Sequence, residues 1–352
     1  MKQQSWHNKI SNPAQLGGIE TAVLDNGPGR GTRIAWINTG TGLRYKIVID
    51  RAMDIAEAFY NAHSLTWISH LGITSPEPFS HRGADWLRTF GGGLLATCGL
   101  SYVGPPEADA HGERGLHGMI SNRVAEIESI IQPDPVHGRM EMSITGTIKE
   151  TKIFGPSLEL RRTLSGTLGK ASIRIHDEVI NVGNTTTPHM LLYHFNFGWP
   201  LVDEGTDILW KGEWNSSARE PRIFREGSNF RQCPPLLDDH SGTGEEVAFI
   251  DAAADNQGLC LCGLYNRSLG IAMTLQFQKA QLPWLTNWQH WGKGEYVTGL
   301  EPGTNPPEGQ IKARQQNQLL MLEPGAKRSY DLELEIHDDQ IKINELLKKL
   351  QY

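Results

Sequence analysis

The sequence contains no run of the roughly 18 apolar residues that a membrane-spanning helix needs. Residues 1–6 also lack the hydrophobic stretch of a signal peptide. Four cysteines among 352 residues are too few for a disulfide framework. We therefore expect a cytoplasmic protein with no membrane partner, whose cysteines are buried, reduced thiols.

Positive charge is not in excess. The chain has 33 Lys and Arg residues against 40 Asp and Glu residues, a net charge of −7. The basic residues are scattered rather than clustered, which argues against nucleic acid as a partner. A hydrophobic content of 38% and a charged content of 21% are typical of a globular protein and exclude bulk disorder.

Helical periodicity is scarce, and short alternating or β-branched runs bounded by turn residues dominate the chain. The clearest predicted strands are 32–38, 43–50, 140–148, 157–165, 171–181, 189–197, 258–265, 270–277 and 328–336. A confident helix is predicted only at 340–350, with Asp338 or Asp339 as its cap. Its apolar stripe would comprise Ile341, Ile343, Leu346, Leu347 and Leu350. Short helical turns are also expected near 83–89.

The chain shows no linker-like change in composition and no repeat of fixed period. We therefore predict a single domain over residues 1–352, with a C-terminal helix at 338–350 appended. So many antiparallel strands must close or stack to cover their edges. The predicted fold is all-β, a large antiparallel two-sheet β-sandwich whose cleft is a natural small-molecule site.

The segment 189–198 changes character along one face. Successive strand residues alternate faces, so His194 and Asn196 follow Leu192 on the face opposite Tyr193. A face that begins apolar and then presents an imidazole and an amide is expected where a strand enters a pocket. The alternative is that His194 is a hydrogen-bonded core histidine.

A second segment combines a carboxylate with tryptophans. Glu301 ends an apolar stretch and precedes a Pro-Gly turn, so we expect it at the rim of the sheet, with partial burial raising its pKa toward that of a useful base. Trp288 and Gln289 lie in a run with three tryptophans, which offers stacking surfaces and hydrogen-bonding groups suited to a sugar. The alternative is core packing for the tryptophans and a solvated carboxylate for Glu301.

Other polar residues give weaker signals. His117 lies in a glycine-rich loop, a frequent place for functional residues. Arg51 and Asp54 form a structural ion pair or reach substrate hydroxyls. The histidine spacing matches no standard metal motif, and the glycines at 91–93 lack the features of a phosphate-binding loop. We expect neither a metal nor another cofactor.

These segments together resemble the galactose mutarotase (aldose 1-epimerase) superfamily, and most closely its uncharacterised aldose 1-epimerase-like branch. The elements Leu-His-Gly at 116–118, Tyr-His-Phe-Asn at 193–196 and Leu-Glu at 300–301 occur in the family's order. The resemblance implies that the sandwich covers essentially the whole chain. It also implies His194 as general acid, Glu301 as general base and His117 as a second histidine, here a polariser of the ring oxygen.

The chain departs from the family pattern at several positions. Met119 replaces a glycine after the Leu-His-Gly element, and residues 96–99 lack the family's Asn-Arg element. The role of that arginine passes to Arg51 or Arg114, and Asp238 or Asp239 corresponds in order to the family's sugar-binding aspartate. These departures leave the acid–base pair intact, but they leave the identity of the sugar open.

The resemblance implies a cofactor-independent isomerase, similar to an aldose 1-epimerase, that interconverts the anomers of a free sugar or sugar derivative. The expected substrate-binding residues are Arg51, Asp54, Asn196, Trp288, Gln289 and Asp239. The first alternative is a non-catalytic carbohydrate-binding or sensing protein on the same fold. The second is a glycoside-cleaving enzyme or lyase, which would want two suitably spaced carboxylates. The expected partner is a small carbohydrate, and a homodimer is compatible with the sequence.

Overall fold

Antiparallel strands are the main regular element of the structure, a computed structural model that describes residues 8–79 and 81–350. Residues 1–6, on which the signal-peptide expectation rests, lie outside these ranges. The strands are β1 (Gly18–Val23), β2 (Arg33–Asn38), β3 (Leu43–Val48), β4 (Asp54–Tyr60), β5 (His63–Ser64), β6 (Leu95–Leu100), β7 (Glu107–Asp109), β8 (Gly112–Arg114), β9 (Ala125–Ile131), β10 (Glu141–Thr151), β11 (Ser157–Thr167), β12 (Ser172–Asn181), β13 (Thr187–Phe197), β14 (Asp207–Trp210), β15 (Gly212–Ser216), β16 (Glu246–Ala252), β17 (Leu259–Asn266), β18 (Ile271–Gln278), β19 (Trp284–Gly292), β20 (Glu295–Gly303), β21 (Leu320–Leu322) and β22 (Lys327–His337).

Two large sheets stack to form the predicted sandwich. The first has the strand order β1-β2-β3-β4-β6-β13-β20-β19-β16-β15, with β5 and β21 paired at its side. The second has the order β14-β17-β18-β22-β12-β11-β10-β9, and β7 and β8 form a separate hairpin. All nine predicted strands are present, within a few residues of the expected ends.

One buried apolar cluster fills the space between the sheets. It joins residues of the first sheet, such as Tyr193 and Phe195 of β13, to residues of the second, such as Leu332 and Leu334 of β22. The strand period of two explains this arrangement, because alternate residues of β13 point into the cluster. The opposite face of β13 is therefore left for the cleft.

A buried arginine links the two sheets beneath β13. Arg162 of β11 is 0% exposed and pairs with Asp177 of β12 at 2.7 Å and with Asp54 of β4 at 3.1 Å. The Tyr193 hydroxyl donates to the same Asp177 carboxylate at 2.7 Å. Thr97 accepts from Arg162 and donates to Asp54, so each charge has partners. This network fixes β13 and β4 relative to the second sheet.

The predicted C-terminal helix is confirmed, but one residue of its predicted apolar stripe is wrong and a second helix was not predicted. The C-terminal helix α2 (Gln340–Leu350) is capped by Asp339, which accepts from the backbone N–H groups of Ile341 and Lys342. Ile341 does not belong to the buried stripe, because it is 72% exposed while Ile343 is buried. The sequence analysis also missed helix α1 (Gly309–Gln315).

Short 3-10 turns complete the described structure. They span Pro13–Gln15, Asp85–Arg88, Ile120–Asn122, Pro135–His137 and Asp238–His240. The turn at Asp85–Arg88 falls within the helical turns expected near 83–89. The four cysteines are buried and unpaired, as predicted. In the described ranges, no helix combines the length and the hydropathy needed to cross a bilayer.

Candidate active site

His194 and Glu301 lie side by side on neighbouring central strands. The register runs from Leu192 opposite Gly303 to Phe195 opposite Leu300, which places His194 of β13 beside Glu301 of β20. Thr286 of β19 continues the row on the other side of Glu301. Sheet hydrogen bonding thus sets the spacing of these side chains.

The two groups are close and nearly inaccessible to solvent. His194 Nδ1 lies 3.4 Å from Glu301 Oε1, and the residues are 6% and 2% exposed. Their orientation does not form a hydrogen bond. Glu301 is thus buried within β20 rather than at the sheet rim that the sequence analysis expected, because its side chain turns inward over Gly299.

Burial disfavours the charged form of both groups. Burial raises the pKa of the Glu301 carboxyl well above its usual range, and the nearby charge of Glu245 raises it further. Burial lowers the pKa of His194 to about 3, with a smaller contribution from His117. These directions favour the protonated form of Glu301 and the neutral form of His194.

His117 faces the pair from a loop held against β6. The loop is fixed by backbone hydrogen bonds from His117 N to Gly104 O, at 2.9 Å, and from Gly99 N to His117 O, at 3.1 Å. Gly118 has φ of +75°, and a Cβ there would lie 2.6 Å from Gly99 O, so the close approach requires glycine. The His117 and His194 ring centroids are 6.1 Å apart. Burial lowers the pKa of His117 to about 4.

Trp288 forms one wall beside the pair. Its ring centroid lies 5.4 Å from that of His194, nearly perpendicular to it. The indole N–H donates to Glu245 Oε2 at 2.7 Å, which fixes the ring plane. Trp86 and Phe90, stacked at 4.1 Å, form the facing wall.

These residues enclose one cavity of about 530 Å³. Four of its lining side chains carry a buried polar atom with no hydrogen-bond partner among the described residues: His117 Nδ1, His194 Nδ1, Thr286 Oγ1 and Glu301 Oε1. Such atoms cost free energy unless a ligand or water satisfies them. Their convergence marks the cavity as the candidate active site.

Arg51 and Asp54 lie outside this cavity. They line a smaller, adjoining cavity that shares Trp86 and Phe90 with the first. Asp54 is engaged by Arg162 and Thr97. The sequence analysis interpreted Arg51 and Asp54 either as a structural ion pair or as contacts for substrate hydroxyls. The ion pair is not present in the structure.

Three other predicted binding residues are not brought to the cavity. Asn196 donates to the backbone oxygens of Gly93 and His194, so it supports the strand that carries His194. Gln289 points into the core and donates to Phe230 O, because it alternates with Trp288 along β19. Asp239 lies on an exposed turn, paired with Arg222.

Sequence reasoning missed several residues of the cavity. Glu245, Thr286, Glu308 and Lys312 all line it, and Lys312 pairs with Glu308. Thr286 could have been found, since it has the same parity along β19 as Trp288. Across residues 8–79 and 81–350, no three His, Cys, Asp or Glu side chains are grouped so as to hold a metal ion.

A substitution at Gly299 tests how tightly Glu301 is positioned. A Cβ at this residue would lie 2.3 Å from Glu301 Oε1, so Gly299→Ala must displace the carboxyl group. If Glu301 acts in catalysis, we expect at least a tenfold loss of activity, because small misplacements of reacting groups are costly. Urea unfolding should show a change below about 1 kcal/mol, because the displaced atoms are the end of a flexible side chain.

Gly166→Ala is the matched control. A Cβ at this position, in β11, would make only an ordinary 3.4 Å contact with Thr39. Both variants should unfold at similar urea concentrations, and only Gly299→Ala should lose activity. Full activity of Gly299→Ala would contradict the proposed importance of the carboxyl position.

A family model matches residues 29–336, most of the chain. The chain belongs to the DUF4432 family. The family's description is a domain of unknown function, so membership by itself assigns no activity. No curated protein matches the sequence.

Solved structures show how widely the DUF4432 fold is shared. A candidate aldose 1-epimerase from Klebsiella pneumoniae has a TM-score of 0.85 at 24% identity, covering 97% of this chain and 91% of its own. A galactose mutarotase-like protein from Clostridium acetobutylicum has a TM-score of 0.60 at 12% identity, covering 91% and 98%. A galactose 1-epimerase from Lactobacillus acidophilus has a TM-score of 0.57 at 10% identity, with the same coverage. At these identities the likeness establishes the galactose mutarotase-like sandwich.

Proposed function

We propose that the protein is an aldose 1-epimerase-like isomerase that interconverts the anomers of a sugar through His194 and Glu301. The observation that carries the proposal is the adjacency of a buried acid and a buried base, 3.4 Å apart and without partners, in a cavity walled by aromatic rings. The aromatic faces of Trp86 and Trp288 suit the apolar C–H faces of a sugar. The galactose mutarotase-like fold supports the same class of reaction.

The pair can move two protons without a net change of its own state. Neutral His194 accepts the proton of the C1 hydroxyl while Glu301 donates its proton to the ring oxygen, and the hemiacetal opens to an aldehyde. After rotation at C1, His194 returns its proton to the aldehyde oxygen and Glu301 recovers one from the hydroxyl that closes the ring. His117 lies beside His194, where it can contact the substrate's oxygens.

The pKa directions reverse the roles that the resemblance implies. They favour a resting protein in which Glu301 holds the proton and His194 acts as the base. The two assignments require opposite orientations of the sugar. Here His194 faces the C1 hydroxyl and Glu301 faces the ring oxygen, whereas the resemblance implies Glu301 at the C1 hydroxyl and His194 at the ring oxygen. Each proton transfer contributes about 10²- to 10⁴-fold in rate.

Glycoside cleavage is less well supported. It uses two carboxyl groups about 5–9.5 Å apart, with room for a nucleophile or water between the sugar and one of them. The cavity also contains the carboxyl groups of Glu245 and Glu308, but Glu245 accepts from the Trp288 indole N–H and Glu308 pairs with Lys312. The two groups in contact are instead His194 and Glu301. A pure binding protein would have no need for a buried, unpartnered acid–base pair, although binding alone would account for the tryptophans.

Magnetisation-transfer NMR on a panel of free hexoses, pentoses, deoxysugars and uronic acids tests the proposal. We expect anomer exchange above the buffer rate for at least one sugar, with no change in mass. Binding without exchange would favour the carbohydrate-binding alternative, and a change in mass would favour cleavage.

The pH profile offers a separate test through Glu245. Its carboxylate raises the pKa of Glu301, so Glu245→Gln should lower that pKa while keeping an acceptor for the Trp288 indole N–H. Activity requires the protonated form of Glu301, so the exchange rate should fall at high pH as that proton is lost. In Glu245→Gln this high-pH limb of the rate profile should move to lower pH. Glu213→Gln, on the edge strand β15, is the control and should leave the limb in place. An unchanged limb in Glu245→Gln would contradict the role of its charge.

A further inference from the structure

A second cavity of about 250 Å³ is lined in part by the stacked rings of Trp86 and Phe90. Its lining includes Arg51, Thr74 and Ser121, together with the glycines at 91–93. The same two rings also line the acid–base cavity, so the two cavities adjoin. The mechanism described above uses no residue that belongs to the second cavity alone.

Arg51 is an unusual charge in this cavity. Its Nε donates to Ser121 O at 2.8 Å and its Nη1 donates to Thr74 Oγ1 at 2.5 Å, and both acceptors are neutral. Within residues 8–79 and 81–350, no carboxylate oxygen forms an ion pair with its guanidinium. Burial lowers the pKa of Arg51, which records the cost of the incompletely compensated charge. Arg51 is half-buried, and arginines withdrawn from solvent are ordinarily paired.

Ser121 provides a second, independent observation. The residue is 3% exposed and its Oγ has no hydrogen-bond partner in the described part of the chain. It lines the same cavity, next to the backbone oxygen that holds Arg51 Nε. A buried hydroxyl without a partner indicates a group that the bound state supplies.

The acidic residues of the cavity are already engaged. Asp54 is held by Arg162 and Thr97, and Glu57 pairs with Lys46 at 2.5 Å. Asp54 and Glu77 act on Arg51 only as more distant charges. The groups left for a ligand are therefore the Arg51 guanidinium and the Ser121 hydroxyl, both of which donate hydrogen bonds.

We propose that the Arg51 cavity binds an oxyanion group: a carboxylate, sulfate or phosphate. Such a group accepts hydrogen bonds from a guanidinium and a hydroxyl together and supplies the negative charge that Arg51 lacks. The group belongs either to an acidic substituent of the sugar or to a separate small anion. This inference goes beyond the proposed function and does not rest on it.

Isothermal titration calorimetry on the full chain in Tris chloride tests the proposal with sodium phosphate, sodium sulfate and sodium galacturonate, and with galactose as the uncharged comparison. We expect at least one of the three oxyanions to bind. Arg51→Gln should weaken that binding at least tenfold, because it removes the charge. Ser121→Ala should weaken it about three- to tenfold without destabilising the free protein, because its Oγ has no partner there. Arg267→Gln, at a surface pair with Asp207, should leave it unchanged.

The pattern of binding distinguishes the two sources. Binding of galacturonate but not phosphate or sulfate assigns the oxyanion to the sugar, and binding of an inorganic anion assigns it to a separate ligand. The proposal is overturned if none of the three binds the wild-type protein, or if Arg51→Gln binds as tightly as the wild type. If Arg51→Gln does not fold, unchanged affinity of Ser121→Ala overturns it. Lack of anomer exchange with every sugar contradicts the proposed function but does not contradict the proposed oxyanion site.

Discussion

Glu301→Gln is expected to reduce anomer exchange by about 10²- to 10⁴-fold, the usual contribution of a positioned acid or base. The amide keeps the size of the protonated carboxyl group but cannot give up and recover a proton. His194→Asn should cause a loss of similar size. The double variant should lose little more activity than either single variant, because the effects of substituting groups that act as a unit are not additive. Magnetisation-transfer NMR with the responding sugar measures all three variants.

Stability separates loss of chemistry from loss of fold. Burial raises the pKa of Glu301 and so favours its neutral carboxyl form, which glutamine resembles. We expect urea unfolding of Glu301→Gln within about 0.5 kcal/mol of the wild type. Glu295→Gln, at the half-buried start of β20, is the control and should retain exchange. Near-normal exchange by Glu301→Gln would refute the assignment of this residue.

Arg162→Met should have the largest effect on stability. The guanidinium is 0% exposed and compensates two carboxylates, Asp54 and Asp177. Removing one partner of a buried ion pair typically costs about 3–5 kcal/mol, because the remaining charge is left without compensation. Urea unfolding at neutral pH measures the loss. Arg161→Met is the matched control on the same strand, since Arg161 pairs with Glu128 at the surface and should contribute at most about 1 kcal/mol.

The Arg162→Met penalty should also depend on pH. Without the arginine, the buried carboxyl groups would have higher pKa values in the folded than in the unfolded protein. Such groups take up protons as the pH falls, so the folded state regains stability relative to the wild type toward about pH 4. A penalty that does not change between neutral pH and about pH 4 would contradict the electrostatic explanation.

Local patterns predicted the sandwich because its strands carry strong signals. The alternation in 189–198 placed Tyr193 in the core and His194 in the cavity, and the structure confirms both faces. Helix α1 was missed because its seven residues follow a Pro-Pro turn and carry no apolar stripe. Ile341 was misplaced because helical periodicity identifies a stripe but not how much of it the sandwich covers.

The site was harder to predict where proximity depends on long-range pairing. Gln289 was grouped with Trp288, although the strand period places them on opposite faces. Asp239 follows the family order along the chain, but order does not determine position in space. Nothing local distinguishes Glu245 from Glu246. The structure shows Glu246 accepting from backbone N–H groups such as that of Ile223, while Glu245 holds Trp288.

The central position of β13 and β20 has a consequence for heat inactivation. In the large sheet, four strands lie between β13 and the edge strand β1, and two lie between β20 and the edge strand β15. Fraying begins at edges and termini, whereas central strands open only when the whole domain unfolds. His194 and Glu301 should therefore keep their spacing through partial opening events. Their backbone amides should be among the slowest to exchange with deuterium, and activity should vanish only together with the cooperative unfolding transition.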